Sequence, residues 1–347
     1  MTSVDVSRDL PGGPVLALTM GEPSGIGPEI AIDAWSRLRD GPISFAWFGD
    51  PSLLVATSAR IGRPVAVREI GSITEAHAVF RDALPVVPLG ISVAATPGEP
   101  SPANAQAVLR SIDLAVAACV RGEAAAVVTN PIQKATLYTA GFRHPGHTEY
   151  LGEITGGDTA PVMMLACPEL RVVPVTIHLS LRDAIARLST EAIVATARTV
   201  DKALRREFAV GTPRLAVAGL NPHAGEQDSM GTEDSRIVAP AVAILRKEGI
   251  DAVGPLPPDT MFTPRARRTY DAAICMYHDQ ALIPLKTLDV DGGVNVTLGL
   301  SVVRTSPDHG TALDIAGRGI ADPSSLVAAI RLAAEIAENR TKGDRRC

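Results

Sequence analysis

Short apolar runs of β type alternate with longer runs of helical period along nearly the whole chain. The series opens with VLALTM, PEIAIDAWSRL, SFAWFGD and PSLLVATSARI and continues through AAAVVTN and PVMMLAC. Strands separated by amphipathic helices predict βα units, hence an α/β fold with a mostly parallel sheet and helices on both faces. ANAQAVLRSIDLAVAACVRGEA has helical periodicity and leads through a glycine into AAAVVTN, so a helix–strand pair ends near Asn130. The polar, turn-rich stretch NPIQKATLYTAGFRHPGHTEYLGEITGG then reads as a crossing into a second lobe. That lobe contains the helices STEAIVATARTVDKALRREF and DSRIVAPAVAILRKEGI, and the return crossing lies near PLKTLDVDGGVNVTLGL. The predicted division is a discontinuous first lobe, 1–131 plus 296–347, and a second lobe, 132–295.

Composition fits this picture. The chain has 347 residues, 46% of them hydrophobic but only 3% aromatic, so its cores are built from Ala, Val, Leu and Ile. A net charge of −5 without a block of like charges points away from nucleic acid or an anionic membrane as partner. No apolar run approaches the roughly 20 residues that span a bilayer, and no signal peptide is visible. Cys119, Cys167, Cys275 and Cys347 have no CxxC spacing, and the first three lie in apolar stretches, which predicts free thiols in a reducing cytoplasm.

The chemistry is concentrated at strand ends. RVVPVTIH, RLAVAGLNPH and DAAICMYH each close a β-type run with a histidine: His178, His223 and His278. In a parallel sheet, functional groups gather at the carboxyl ends of the strands, so three imidazoles there can converge on one metal ion. Imidazole ligands with an open position suit Zn²⁺ or Co²⁺, whereas Mg²⁺ prefers oxygen. The competing reading is three structural, hydrogen-bonded histidines, and the spacing matches no short metal signature. Lys286 and Arg304 lie among apolar residues close to the third histidine, as does Asn295, and cations held there fit a phosphate or carboxylate ligand. HPGHTEY offers His147 and Thr148 in a loop. Asp259 and Asp279 are candidates for proton transfer, with Asp279, directly after His278, better suited to orienting an imidazole; Lys134 is a third candidate. MGEPSGIGPEI is a glycine-bearing strand-to-helix turn but not a GxGxxG fingerprint, and SPDHGTALDIAGRGIADP is a glycine-bearing loop before the last helix.

Taken together, these motifs resemble the family of 4-hydroxythreonine-4-phosphate dehydrogenase (PdxA), an enzyme of pyridoxine 5′-phosphate biosynthesis. GEPSGIGPEI, TNPIQKATL, GHTEY, VTIHLSLRDA, GLNPHAGE, MGTED, GPLPPDT, MYHDQALIPLK, GVNVTLGL and RTSPDHGTALDIAGRG carry the resemblance, from about Leu16 to about Asp322. It implies two α/β lobes similar to those of isocitrate and isopropylmalate dehydrogenases, without a GxGxxG Rossmann domain, and a homodimer whose active site lies at the subunit interface, with metal ligands shared between chains. His178, His223 and His278 would bind the divalent metal (Zn²⁺, Co²⁺ or Mg²⁺). His147, Thr148, Lys286, Asn295 and Arg304 would bind the small phosphorylated substrate, and His309, Gly310 and Asp314, on the first lobe, NAD or NADP. The implied reaction is oxidation of 4-phosphohydroxy-L-threonine at C3 followed by loss of CO₂, giving 3-amino-2-oxopropyl phosphate. Ser301 and Gly292 depart from the family pattern, which often has proline and a basic residue there. Relatives acting on D-threonate or D-erythronate 4-phosphate often read DQGH after the metal histidine, where this chain has Asp279, Gln280, Ala281 and Leu282. Relatives acting on aromatic cis-diols lack the HTE element kept here as His147, Thr148 and Glu149. A non-catalytic ligand-binding protein is the alternative outside the enzymes.

Overall fold

The structure is a computed structural model that describes residues 13–144, 147–155 and 160–344, without the side chains of 147–149 and 344. The chain forms two compact units. The first comprises 1–159 and 300–338, the second 160–299 and 339–347.

In the first unit, β1 (Val15–Thr19), α1 (Gly27–Leu38), β2 (Ser44–Gly49), α2 (Pro51–Ile61), β3 (Val67–Glu69), α3 (Ala76–Val79), β4 (Leu84–Pro88), α4 (Ala105–Val120) and β5 (Ala126–Val128) follow one another as expected of βα units. Then come α5 (Lys134–Thr139) and α6 (His147–Thr155), and later β12 (Arg304–Pro307) and α12, which starts at Ser324 and runs to Asp344. The strands lie in the order β3-β4-β2-β1-β5-β12, all parallel. β1 and β2 are buried at every residue, the continuous apolar run of a strand covered on both faces. α4 lies against them. The helical stretch Pro102–Val120 is long and apolar enough to cross a membrane by length and composition, contrary to the expectation that no run approaches this. Half of it is buried, as befits a core helix.

The second unit contains β6 (Val162–Cys167), β7 (Leu170–Thr176), α7 (Leu181–Arg187), α8 (Thr190–Arg206), β8 (Arg214–Ala218), α9 (Ala239–Lys247), β9 (Asp251–Leu256), α10 (Pro258–Met261), β10 (Ala272–Tyr277), α11 (His278–Leu288) and β11 (Val294–Leu298). Their order is β11-β6-β7-β10-β8-β9; β6 runs antiparallel to both its neighbours and the others pair in parallel. One buried cluster joins Leu165, Val172, Ala216, Ala273, Cys275 and Leu285 beneath α11. Cys119, Cys167 and Cys275 are free thiols; Cys347 lies outside the described residues.

The boundaries differ from those read in the sequence. The stretch after Asn130 looked like a crossing because it is polar and rich in turns. Its described residues, as far as Thr155, stay with the first unit, because α6 packs on α4, Tyr150 hydrogen-bonds Asp113, and the Ser301 hydroxyl donates to Thr155 O at 2.9 Å. Tyr138, Phe142, His144 and Tyr150 add a small aromatic cluster there. The tail after Glu338 goes with the second unit, where Glu207 accepts from Arg340 Nη2 at 2.6 Å and its backbone oxygen from Asn339 Nδ2 at 2.9 Å.

Candidate active site

β7, β10 and β8 are consecutive neighbours, and all three run parallel. The three histidines therefore follow the same ends of three adjacent strands: His178 two residues after β7, His278 directly after β10 and His223 in the turn after β8. His178 (φ 52°) and His223 (φ 51°) both occupy the left-handed backbone region, and Ala224 (φ 54°) continues it. That conformation costs a non-glycine residue free energy and persists where the surroundings impose it, often at working sites. Both imidazoles are exposed, so core packing does not explain them.

The rings of His178 and His278 lie 6.1 Å apart, centroid to centroid. They border one hollow with Thr176, Leu181, Tyr277 and Asp279, whereas His223 lines a neighbouring hollow with Asn221, Asp259, Tyr277 and Gln280. Among the described residues, no three His, Cys, Asp or Glu side chains come together in a group that could hold a metal ion. The convergence of all three imidazoles on one ion is thus not met within a single chain: the strand ends are adjacent, but His223 faces the next hollow. His278 Nδ1 meets Asp279 Oδ1 at 2.7 Å, so Nε2 is the ring nitrogen not engaged by that carboxylate. A carboxylate on one ring nitrogen fixes the tautomer and orientation of an imidazole that binds a cation through the other, so the donor chemistry fits a divalent metal.

The remaining predicted residues fall in both units. In the second, Lys286 is exposed on α11, and Asn295 on β11 is half-buried, its Oδ1 buried without a hydrogen-bond partner. In the first, Arg304 opens β12 and is 3% exposed; its Nη2 and Nε donate to Thr129 Oγ1 at 2.7 and 3.2 Å. Burial pushes the Arg304 guanidinium down to about 10. It remains a cation at neutral pH in a setting that favours an anionic partner. His147 and Thr148 open α6, and their side chains lie outside the described residues. Lys134 is half-buried at the start of α5.

The first unit also joins two motifs that are far apart in sequence. Ile26 N donates to Thr311 O at 3.0 Å, and a Cβ on Gly25 would come within 2.8 Å of that same oxygen. The Glu29 carboxylate accepts from Gly317 N and, at 2.9 Å, from Gly319 N. The MGEPSGIGPEI turn therefore shapes the DHGTALDIAGRG loop, and a cleft there is lined by Gly25, Glu29, Thr57, Arg60, Pro97 and Gly317. His309 Nε2 is buried without a partner, Gly310 is open to its surroundings and Asp314 is exposed.

A model of the family described as pyridoxal phosphate biosynthetic protein PdxA matches residues 43–333. The chain belongs to the PdxA family. A 4-hydroxythreonine-4-phosphate dehydrogenase from Bradyrhizobium diazoefficiens is 53% identical over 337 residues, 94% of this chain and 98% of that protein. One from Methylorubrum populi is 56% identical over 331 residues, 93% of this chain and 94% of that protein. The crystal structure of 4-hydroxythreonine-4-phosphate dehydrogenase from Klebsiella pneumoniae superposes with a TM-score of 0.84 at 41% identity, covering 94% of this chain and 98% of that one. The family fold is thus the α/β architecture described above.

Sequence reading missed Glu29, Thr129, Asp234 and Gln280, all buried polar residues whose partners are distant in sequence or backbone groups. Asp234 accepts from Leu220 N at 2.7 Å and Asn221 N at 3.0 Å and so holds the turn leading to His223. A signal was present in MGTED: a carboxylate inside an otherwise turn-forming motif.

Proposed function

We propose that this PdxA-family protein oxidises 4-phosphohydroxy-L-threonine at C3 with NAD⁺ or NADP⁺ and then decarboxylates the product to 3-amino-2-oxopropyl phosphate, in pyridoxine 5′-phosphate biosynthesis. The observation that carries this reading onto residues is the placement of His178, His223 and His278 at the ends of three adjacent parallel strands, two of them in left-handed backbone. When bound, a divalent cation (Zn²⁺, Co²⁺ or Mg²⁺) supplies electrophilic stabilisation of the developing negative charge, and the nicotinamide supplies the hydride acceptor.

The chain's own residues do the rest. His178, His223 and His278 hold the cation, with Asp279 bracing His278. Because Asp279 is engaged there, Asp259 beside His223 is the carboxylate that takes the C3 hydroxyl proton as the C3 hydride leaves. The ketone is β to the carboxylate, so the C1–C2 bond breaks, CO₂ departs and its electron pair forms the enolate. The proton given up by the hydroxyl balances the one that C2 takes up. Arg304 and Lys286 bind the phosphate, with His147 and Thr148. Asn295, whose Oδ1 is buried without a donor, binds a substrate hydrogen-bond donor. His309, Gly310 and Asp314 contact the dinucleotide, consistent with the unpartnered His309 Nε2.

A second copy of the chain completes the site. Leu181, which lines the hollow of His178 and His278, is 58% exposed, and Ile185, one turn along α7, is 41% exposed, an apolar surface suited to burial in a homodimer. The free, buried Cys167 and Cys275 suit a reducing cytoplasm. The test is NAD⁺ reduction by the purified protein with 4-phosphohydroxy-L-threonine, D-threonate 4-phosphate and D-erythronate 4-phosphate side by side. The highest kcat/KM is expected on the first; a higher value on either sugar-acid phosphate would reassign the substrate.

A further inference from the structure

Glu29, in the first turn of α1, is 1% exposed, and its two carboxylate oxygens go to two different backbone amides. Oε1 accepts from Gly317 N and Oε2, at 2.9 Å, from Gly319 N. Both amides belong to the loop between β12 and α12 that carries His309, Gly310 and Asp314. From Asp308 to Pro323 this loop contains neither strand nor helix. Ile315 N donates to Ala312 O at 3.1 Å and Arg318 N to Ile315 O at 3.2 Å, which makes two single turns. Ala312 (φ 44°), Gly317 (φ 79°) and Gly319 (φ 67°) are left-handed. Such a path is fixed by what it rests on more than by its own bonds.

The supports come from α1 and from segments tied to it. Ile26 N, at the start of α1, donates to Thr311 O at 3.0 Å. Asp33, one turn after Glu29 on the same face of α1, pairs with Arg63, whose Nη2 donates to Gly319 O at 2.7 Å. Gly319 is therefore held at its amide by Glu29 and at its carbonyl by Arg63. Gly98 N donates to Ser24 O at 2.8 Å in the turn before α1, and a Cβ on Gly317 would lie 2.7 Å from Pro97 Cβ, so the loop is backed closely on that side as well. Glu29 is the member of this set that grips two amides with one side chain, and bonds from backbone N–H to a carboxylate are of the stronger kind.

We infer that Glu29 is a positioning residue that sets the affinity of the protein for its dinucleotide by holding the 309–319 loop in its binding conformation. The inference rests on the reading above that His309, Gly310 and Asp314 contact NAD or NADP. Affinity falls in proportion to the fraction of molecules whose loop is in the competent conformation. Glu29→Gln keeps one acceptor but turns an NH₂ group toward the second amide. Glu29→Ala removes both bonds.

The test is calorimetric titration of the purified protein with NADH and with NADPH, reading whichever wild type binds more tightly. Melting temperature and amide hydrogen exchange across 308–320 are measured on the dinucleotide-free protein. Trp35→Phe, which removes a buried 2.7 Å bond from Trp35 Nε1 to Phe80 O on the same helix, serves as the control. Both Glu29 variants are expected to weaken dinucleotide binding by roughly 10–100-fold and to speed exchange in the loop, with KM for 4-phosphohydroxy-L-threonine unchanged. The control should lose melting temperature with dinucleotide affinity and loop exchange unchanged. Wild-type dinucleotide affinity in the Glu29 variants, or an equal loss in the KM for substrate, would overturn the inference, and if the Ala variant does not fold, the Gln variant decides. His309→Ala and Asp314→Ala separate the two levels. Wild-type dinucleotide affinity in both means the dinucleotide reading of the loop has failed, whereas weakened binding in them beside wild-type affinity in the Glu29 variants means that the inference alone has failed.

Discussion

At the scale of single residues, charge and backbone strain explain more than packing. Arg304 is the clearest case, a guanidinium nearly removed from solvent and resting on the Thr129 hydroxyl. Removing one partner of a buried charge-assisted hydrogen bond costs about 1.5–3 kcal/mol. Arg304→Ala should therefore raise KM for the phosphorylated substrate by roughly 10–100-fold, and Arg304→Lys should restore only part of this because the planar fork is lost. Steady-state kinetics decide it, and an unchanged KM in both variants would remove Arg304 from the phosphate site. Glu22, in the turn after β1, is buried, and that burial raises its carboxyl above its ordinary value of 4.5 although Ser24 N donates to it at 3.0 Å. The folded protein then holds a proton there that the unfolded chain has released, so stability falls as pH rises from about 4.5 through the folded value and stays lower above it. Glu22→Gln should melt a few degrees higher than wild type at neutral pH, with the difference vanishing below about pH 4.5. Melting curves across pH would show the opposite trend if the buried carboxylate were stabilising.

At the scale of elements, the sequence was most readable where period and position coincide. Continuous apolar runs marked β1, β2, β7, β8 and β10, and the histidines at the ends of the last three stood out because each run stops at a polar group. What the pattern could not show was which side chain answers which backbone group. Nothing local to Gln280 indicates that its partner is Gly219, nor local to Glu29 that it caps the amides of Gly317 and Gly319. The helix read over DSRIVAPAVAILRKEGI likewise opens with a wide π-type turn, Asp234–Val238, where the Asp234 side chain is committed to the turn before His223. Asp50 gives an element-level prediction. It caps α2 through Ser52 N at 2.9 Å while its second oxygen accepts from Val93 N at 2.8 Å. Asp50→Ala should cost about 1–2 kcal/mol, read as a lower denaturant midpoint with unchanged slope. A variant as stable as wild type would show that the cap contributes nothing net.

At the scale of the whole molecule, the unit boundaries were the least legible part, because polarity and turn content look the same whether a segment bridges two units or lines one. The helix His147–Thr155 is held in the first unit by the bonds of Tyr150 and Ser301, contacts invisible in any local window. The incomplete ligand group within one chain and the exposed apolar margin of α7 lead to a prediction about assembly. The protein should sediment as a dimer, and Leu181→Glu should shift it toward monomer with loss of both metal and activity. A monomeric variant that keeps full activity would rule out a shared site.

The central claim, a metal-dependent oxidative decarboxylation, is tested most directly in one preparation stripped of metal and then resupplied. NADH and CO₂ released from 4-phosphohydroxy-L-threonine are measured together in the same sample. Equal amounts of the two are predicted, absent before the cation is added and restored by it. NADH without CO₂, or turnover indifferent to the cation, would contradict the account.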